Sequence, residues 1–407
     1  MNSAKQSLSV RWLYLATGVV AMLFAGVLYA WSILKSPLAA EFGWGASELA
    51  LNYTIAMCFF CVGGFLGARL AKRAGHKIAI IASGVLSALG FILTATLSGA
   101  STLTLYMTYG VLAGLGIGVA YNVVIATVSD WFPDKKGLCS GCLMMGFGAS
   151  ALVLGNVANA LFSSSLGWRA TFIVLGLAIG AVLLVAALLL RKPDAGTVLP
   201  QAGAVKKAGT EAFEPKDFTP AEMLRRPSFW MAMLWLILSA AVGSSVISFA
   251  KDLALSVHAP EALAVTLVGV LSVCNGLGRI LTGAVYDAIG RRRTMIYANL
   301  LNSCAAGITL LAVCIGSLPL CIAGLCLSGL AYGSCPTISV AFTSTFFGPK
   351  NFSTNMALMT FNAMGAALIA TLSSKVLEAS GGYAAPFAML LGLTVVALIL
   401  NIFIRKP

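Results

Sequence analysis

The sequence predicts an all-α membrane protein whose twelve transmembrane helices form two six-helix, pseudo-symmetric bundles. Three observations carry this reading. The 407-residue chain is 59% hydrophobic and 10% charged, with a mean hydropathy of +0.94. A soluble protein of that length needs roughly 25% charged residues to coat its surface. Apolar runs of about 20 residues, long enough to cross a bilayer as helices, recur along the chain. Landmarks of the first half return in the second at a nearly constant offset. A soluble enzyme, a secreted disulfide scaffold and a disordered chain are excluded by composition. A transmembrane β-barrel is excluded by the continuous apolar runs, because barrel strands alternate polar and apolar.

In order, the twelve runs begin near Trp12, Leu49, Ile78, Leu103, Gly137, Trp168, Phe229, Ala262, Thr294, Leu318, Ser353 and Ala384. Lys5 and Arg11 precede the first run as charges precede a signal peptide. The apolar stretch that follows, about 24 residues, exceeds a secretory core, so it reads as a retained helix. Residues 1–190 thus form one six-helix bundle, 191–226 a polar central loop, and 227–407 a second bundle. The loop carries seven basic and five acidic residues with Pro193, Pro200, Pro215 and Pro220. Its Thr219-Pro220-Ala221-Glu222 reads as a capping box with proline in the first turn, which predicts a short interfacial helix.

The net charge of +13 could signal nucleic acid, but its placement answers to topology. Of 26 lysines and arginines, 21 fall on the side of the termini, among them Arg69, Lys72, Arg73, Lys77 and Arg291 to Arg293. Lys35, Arg169, Lys251 and Lys375 lie near the other side. The positive-inside rule then makes both termini cytoplasmic, in a multi-pass protein of the inner (plasma) membrane, and no nucleic-acid partner is expected.

Gly67-x-x-x-Ala71-x-x-Gly75 returns 216 residues later as Gly283-x-x-x-Asp287-x-x-Gly290. Trp131-Phe132 returns as Phe346-Phe347, Gly167-Trp168-x-Ala170-x-Phe172 as Gly382-Tyr383-x-Ala385-x-Phe387, and Gly114 as Gly329, each 215 residues on. A shared offset argues for parallel repeats, with a substrate near the midplane between them.

Arg279 is the one cation deep within a run. An arginine there is too far from either surface to snorkel, so it faces a cavity or a partner. All thirteen Asp and Glu fall in loops or at helix ends, which leaves a carboxylate substrate as its partner in a bidentate pair. Asn275, Ser272 and Thr282 share its helix face. Asn275 either holds the guanidinium or a substrate hydroxyl, or bonds a neighbouring helix. Lys35, ending the first run, is either a lysine reaching for headgroups or a second cation in the outer vestibule. Tyr29, Tyr121-Asn122 and Tyr332 sit inside spans one, four and ten, where a phenol needs a partner within the bundle or on a substrate. Cys58-x-x-Cys61 and Cys139-x-x-Cys142 imitate metal spacing but lie in or beside apolar helices without clustered histidine. No metal or cofactor is expected. Gly114, Gly116 and Gly118 read as helix contacts, since no strand precedes them.

Gly283-x-x-x-Asp287-x-x-Gly290-Arg291-Arg292 resembles the loop motif of the major facilitator superfamily, and the six-plus-six layout is similar over the whole chain. Trp131-Phe132-Pro133-Asp134-Lys135-Lys136-Gly137-Leu138 resembles the oxalate:formate antiporter family, related to the monocarboxylate transporters. So does Asp217-Phe218-x-x-x-Glu222-Met223-Leu224-Arg225-x-Pro227-x-Phe229-Trp230. The resemblance implies a binding arginine at Arg279 and tyrosines at Tyr29, Tyr121 and Tyr332. It implies a conformational latch at Gly283, Asp287, Gly290 and Arg291. The chain departs from the pattern twice. Ala71 stands where the first loop motif often has Asp, and Met359 stands where oxalate exchangers carry a lysine.

The expected function is secondary active transport of a small monocarboxylate, of lactate, pyruvate or formate size, by alternating access. Protons or a counter-transported anion accompany it, and the carrier is expected to be a monomer. An oxalate:formate-type antiporter is the alternative. A membrane sensor has less support, because the central loop is too small for a soluble domain, and no nucleophile, metal cluster or paired carboxylates mark a membrane enzyme.

Overall fold

The computed structural model describes residues 2–99, 101–132, 136–193, 199, 217–348 and 351–404. The first bundle comprises α1 (Val10–Phe42), α2 (Ala46–Ala74), α3 (His76–Thr94), α4 (Thr102–Ser129), α5 (Gly141–Phe162) and α6 (Gly167–Leu189). The second holds α7 (Pro227–Ser256), α8 (Glu261–Tyr286), α9 (Ala288–Ile315), α10 (Leu318–Phe347), a broken α11 and α12 (Ala384–Phe403). Among the described residues these eleven continuous helices are long and apolar enough to cross a membrane. Leu177, Leu188, Leu281 and Ile399 point outward, as a lipid-facing surface requires.

The span expected near Ser353 is two helices, Phe352–Met359 and Asn362–Ser380. Local side chains explain the break. Thr360 Oγ1 donates to the Met356 carbonyl at 2.8 Å and Asn362 Nδ2 to the Met359 carbonyl at 2.6 Å. Short polar side chains thus take carbonyls that a regular helix uses, and the turn tightens to i→i+3 bonds such as Ala363 N–H to Thr360 O.

The repeat is visible in how helices touch. A Cβ on Gly63 would meet the Leu115 carbonyl at 2.2 Å, and one on Gly118 the Phe60 carbonyl at 2.1 Å. In the second bundle a Cβ on Gly278 would meet the Leu330 carbonyl at 2.2 Å, and one on Gly333 the Asn275 carbonyl at 2.1 Å. All four positions of one contact set are 215 residues from those of the other. Glycine lets α2 and α4, and likewise α8 and α10, pack backbone to backbone. Gly75 and Gly290, at the same offset, turn the chain between helices with φ of +91° and +74°, a region closed to most side chains.

The ends of the central segment are fastened. Trp131 Nε1 donates to the Arg191 carbonyl at 2.6 Å. The Phe218 amide donates to the Phe347 carbonyl at 3.0 Å, and the Phe218 carbonyl accepts from Asn351 and Asn355 at 3.1 and 3.0 Å. The expected capping box is present: Glu222 N–H donates to Thr219 Oγ1 at 3.3 Å and opens the helix Pro220–Leu224.

Candidate functional site

Odd-numbered helices start at the face that carries the termini, called here the terminal face, and run to the far face. Arg279 lies on α8, 9% exposed, about 27 Å along the helix from its far end and about 10 Å from its terminal end. Its Nη1 donates to the Tyr121 hydroxyl of α4 at 3.4 Å, a contact between the two bundles. Its buried Nε has no acceptor. The ion pairs printed among the described residues join other groups, so the guanidinium meets phenol and no carboxylate.

Aromatic side chains wall the space beside it. Tyr29 comes from a 3₁₀ stretch, Gly26–Ala30, inside α1. Gly26 sits where a Cβ would strike the Phe147 carbonyl at 2.0 Å, so only glycine lets α1 press on α5 there. Tyr29 then meets Phe147 edge-on at 5.0 Å and Tyr332 at 6.4 Å between ring centroids. Tyr121 meets Phe60 and Phe147, each at 5.1 Å. Asn275, one turn from Arg279 towards the far face, is buried with neither its amide nitrogen nor its oxygen bonded. A buried unpartnered polar group costs about 1–3 kcal/mol, so Asn275 stands ready for a ligand or for water.

Arg279, Asn275, Tyr29, Tyr121 and Tyr332 therefore converge, as the sequence led one to expect. Asn122 does not join them: it is exposed and lies against Gly64 of α2. Lys35 lies nearer the far face, buried, with Nζ 2.7 Å from Asp252 Oδ2 of α7. Sequence reasoning missed Phe60, Phe147 and Asp252. Phe60 had a signal, since it is the repeat counterpart of Asn275.

A cavity of about 570 Å³ runs from Arg279 towards the terminal face between α5, α8 and α10. Met144, Met145, Ile280, Pro336 and Val340 make it largely apolar, and Gly283 lines it. The far side is closed between bundles. Besides Lys35 and Asp252, Thr54 Oγ1 bonds the Ala367 carbonyl at 2.6 Å and Thr371 Oγ1 at 2.7 Å, and Ser47 N–H donates to Glu378 Oε1 at 2.6 Å. There α5 and α8 also touch through glycine: a Cβ on Gly148 would lie 2.6 Å from the Ser272 carbonyl, and one on Gly269 2.3 Å from Leu152 Cα.

Of the expected latch, the side chain of Asp287 lies outside the described residues. Gly290 makes the α8–α9 turn. Arg291 stays within the second bundle, with Nη2 3.4 Å from the Ile404 carbonyl and its guanidinium 5.1 Å from the centre of the Phe346 ring.

The family model of the Major Facilitator Superfamily matches residues 13–251 and 236–407. The chain belongs to the major facilitator superfamily. It is a multi-pass membrane transporter of that superfamily. The oxalate:formate antiporter of Oxalobacter formigenes is 29% identical over 70% of this chain and 65% of its own. Human monocarboxylate transporter 12 is 26% identical over 84% of this chain and 70% of its own. Among solved structures, the nucleoside transporter NupG (D323A mutant) aligns with a TM-score of 0.72 at 14% identity, covering 98% of this chain and all of that one. That likeness speaks for the fold.

Proposed function

We propose that this superfamily member carries small monocarboxylates across the inner membrane by alternating access, with the substrate carboxylate paired to Arg279. The observation that carries the reading is the Arg279 guanidinium, buried at the junction of the bundles with its Nε unpartnered and a cavity at its side. A carboxylate fits the planar fork of arginine bidentately and neutralises it in a low-dielectric site. Relatives that are an oxalate:formate antiporter and a monocarboxylate transporter support a carboxylate as the ligand.

The count of cations favours a monoanion. Lys35 is neutralised by Asp252, and Met359 is a buried apolar residue. A dianion facing Arg279 alone keeps one uncompensated charge, a penalty of several kcal/mol. In this reading the terminal face is cytoplasmic, so the closed far side and the cavity below Arg279 make the conformation inward-facing. The loaded, neutral site reorients more readily than the empty cationic one. Asp287 and Arg291 on the α8–α9 turn would steady the cytoplasmic closure of the opposite state.

A ligand panel in a thermal-shift assay tests the substrate class. A ligand at 100 times its Kd stabilises the folded state by about 2.7 kcal/mol. Lactate, pyruvate or formate is expected to raise the Tm more than oxalate does, and Arg279→Lys is expected to remove the shift. Stabilisation by oxalate alone would favour the oxalate:formate reading.

A further inference from the structure

We infer that Asp252 sets the substrate charge, by cancelling Lys35 at the far-side mouth of the substrate path. The inference rests on the carboxylate reading of Arg279 and adds a specificity-determining residue outside the contact shell. Lys35 comes from α1 and Asp252 from α7, so the pair spans the two bundles. Lys35 is only 5% exposed, whereas the Asp252 side chain is 40% exposed. The cation is therefore held inside, between Tyr29 and the far face, and the carboxylate is its ordered counter-charge.

Other charges nearby have their own partners. Lys251 Nζ bonds Glu261 Oε1 at 2.9 Å, Arg169 pairs with Glu41 at 2.6 Å, and Glu378 accepts from the Ser47 amide. Lys35 and Asp252 are thus the pair parted when the bundles open on that side. Each then stays on its own wall of the vestibule, and their sum there is zero. An incoming anion meets no net attraction until it reaches Arg279. The site then offers one uncompensated cation, which matches one carboxylate.

Removal of the Asp252 charge leaves Lys35 without its counter-charge. The vestibule gains one net positive charge, and a dianion can be neutralised by Lys35 and Arg279 together. A latch without a charge-setting role would act otherwise, because weakening it changes the uptake of every acid by a common factor.

The test is competition against labelled lactate uptake in proteoliposomes, with oxalate and pyruvate as competitors. The proteins compared are the natural chain, Asp252→Asn and Asp252→Asn/Lys35→Met. Asp252→Asn is expected to raise the potency of oxalate relative to pyruvate about ten-fold, and the added Lys35→Met to restore the original ratio. An unchanged ratio in Asp252→Asn, whatever its rate, would overturn the inference while leaving the monocarboxylate reading intact. A raised ratio that persists without Lys35 would overturn it too. If the natural chain accumulates no lactate, the carboxylate reading fails first and this inference fails with it.

Discussion

Lysine in place of Arg279 is expected to lower monocarboxylate uptake about 100-fold at equal membrane expression. Truncating one member of a buried charge pair costs about 2–5 kcal/mol, and about 1.4 kcal/mol is a factor of ten. Lysine keeps the charge, so insertion and packing should survive. It loses the planar fork and the Nη1 donor that now reaches Tyr121. A bidentate carboxylate becomes a single contact to a compact, strongly hydrated ammonium. Uptake assays and fluorescence size-exclusion of the detergent-solubilised protein separate the two effects. Full activity in the lysine variant would remove Arg279 from the binding site.

The second large effect is expected at Gly269. A Cβ there would stand 2.3 Å from Leu152 Cα of the other bundle, and that contact belongs to the far-side closure. Valine adds two further methyls, and overpacking of this kind costs about 1–3 kcal/mol. The cost falls on the far-closed state alone, because the bundles separate there in the opposite state. Gly269→Val should therefore hold the far side open and cut turnover about ten-fold. Pulsed electron resonance between spin labels on the far ends of α2 and α11 checks the cause, with a longer distance expected in the variant. Normal turnover with an unchanged distance would mean that the α5–α8 contact does not set the state.

The bundle layout was legible because a bilayer imposes length and apolarity on every crossing, and duplication repeats the glycine contacts. Arg279 was legible for the opposite reason: a buried cation breaks the apolar pattern. The break in α11 was hidden, since Thr360 and Asn362 compete for carbonyls only once their own backbone geometry is known. The partner of Lys35 was hidden too. Asp252 reads as a helix-end residue, and only the run of α7 to Ser256 places it a turn inside, facing α1. Tyr121 and Asn122 were taken together, yet neighbours on a helix point about 100° apart. That rotation sends Tyr121 to Arg279 and Asn122 to α2. Phe60 and Phe147 carry no polar signal of their own, and they gain a role only through the tyrosines they touch.

Competition for labelled lactate uptake into proteoliposomes, at fixed pH and with unlabelled formate, pyruvate and oxalate, tests the central claim most directly. One free cation at Arg279 predicts that pyruvate or formate displaces lactate more strongly than oxalate at equal concentration. Oxalate displacing it more strongly than every monocarboxylate would contradict the charge count and make the oxalate:formate exchange the better account.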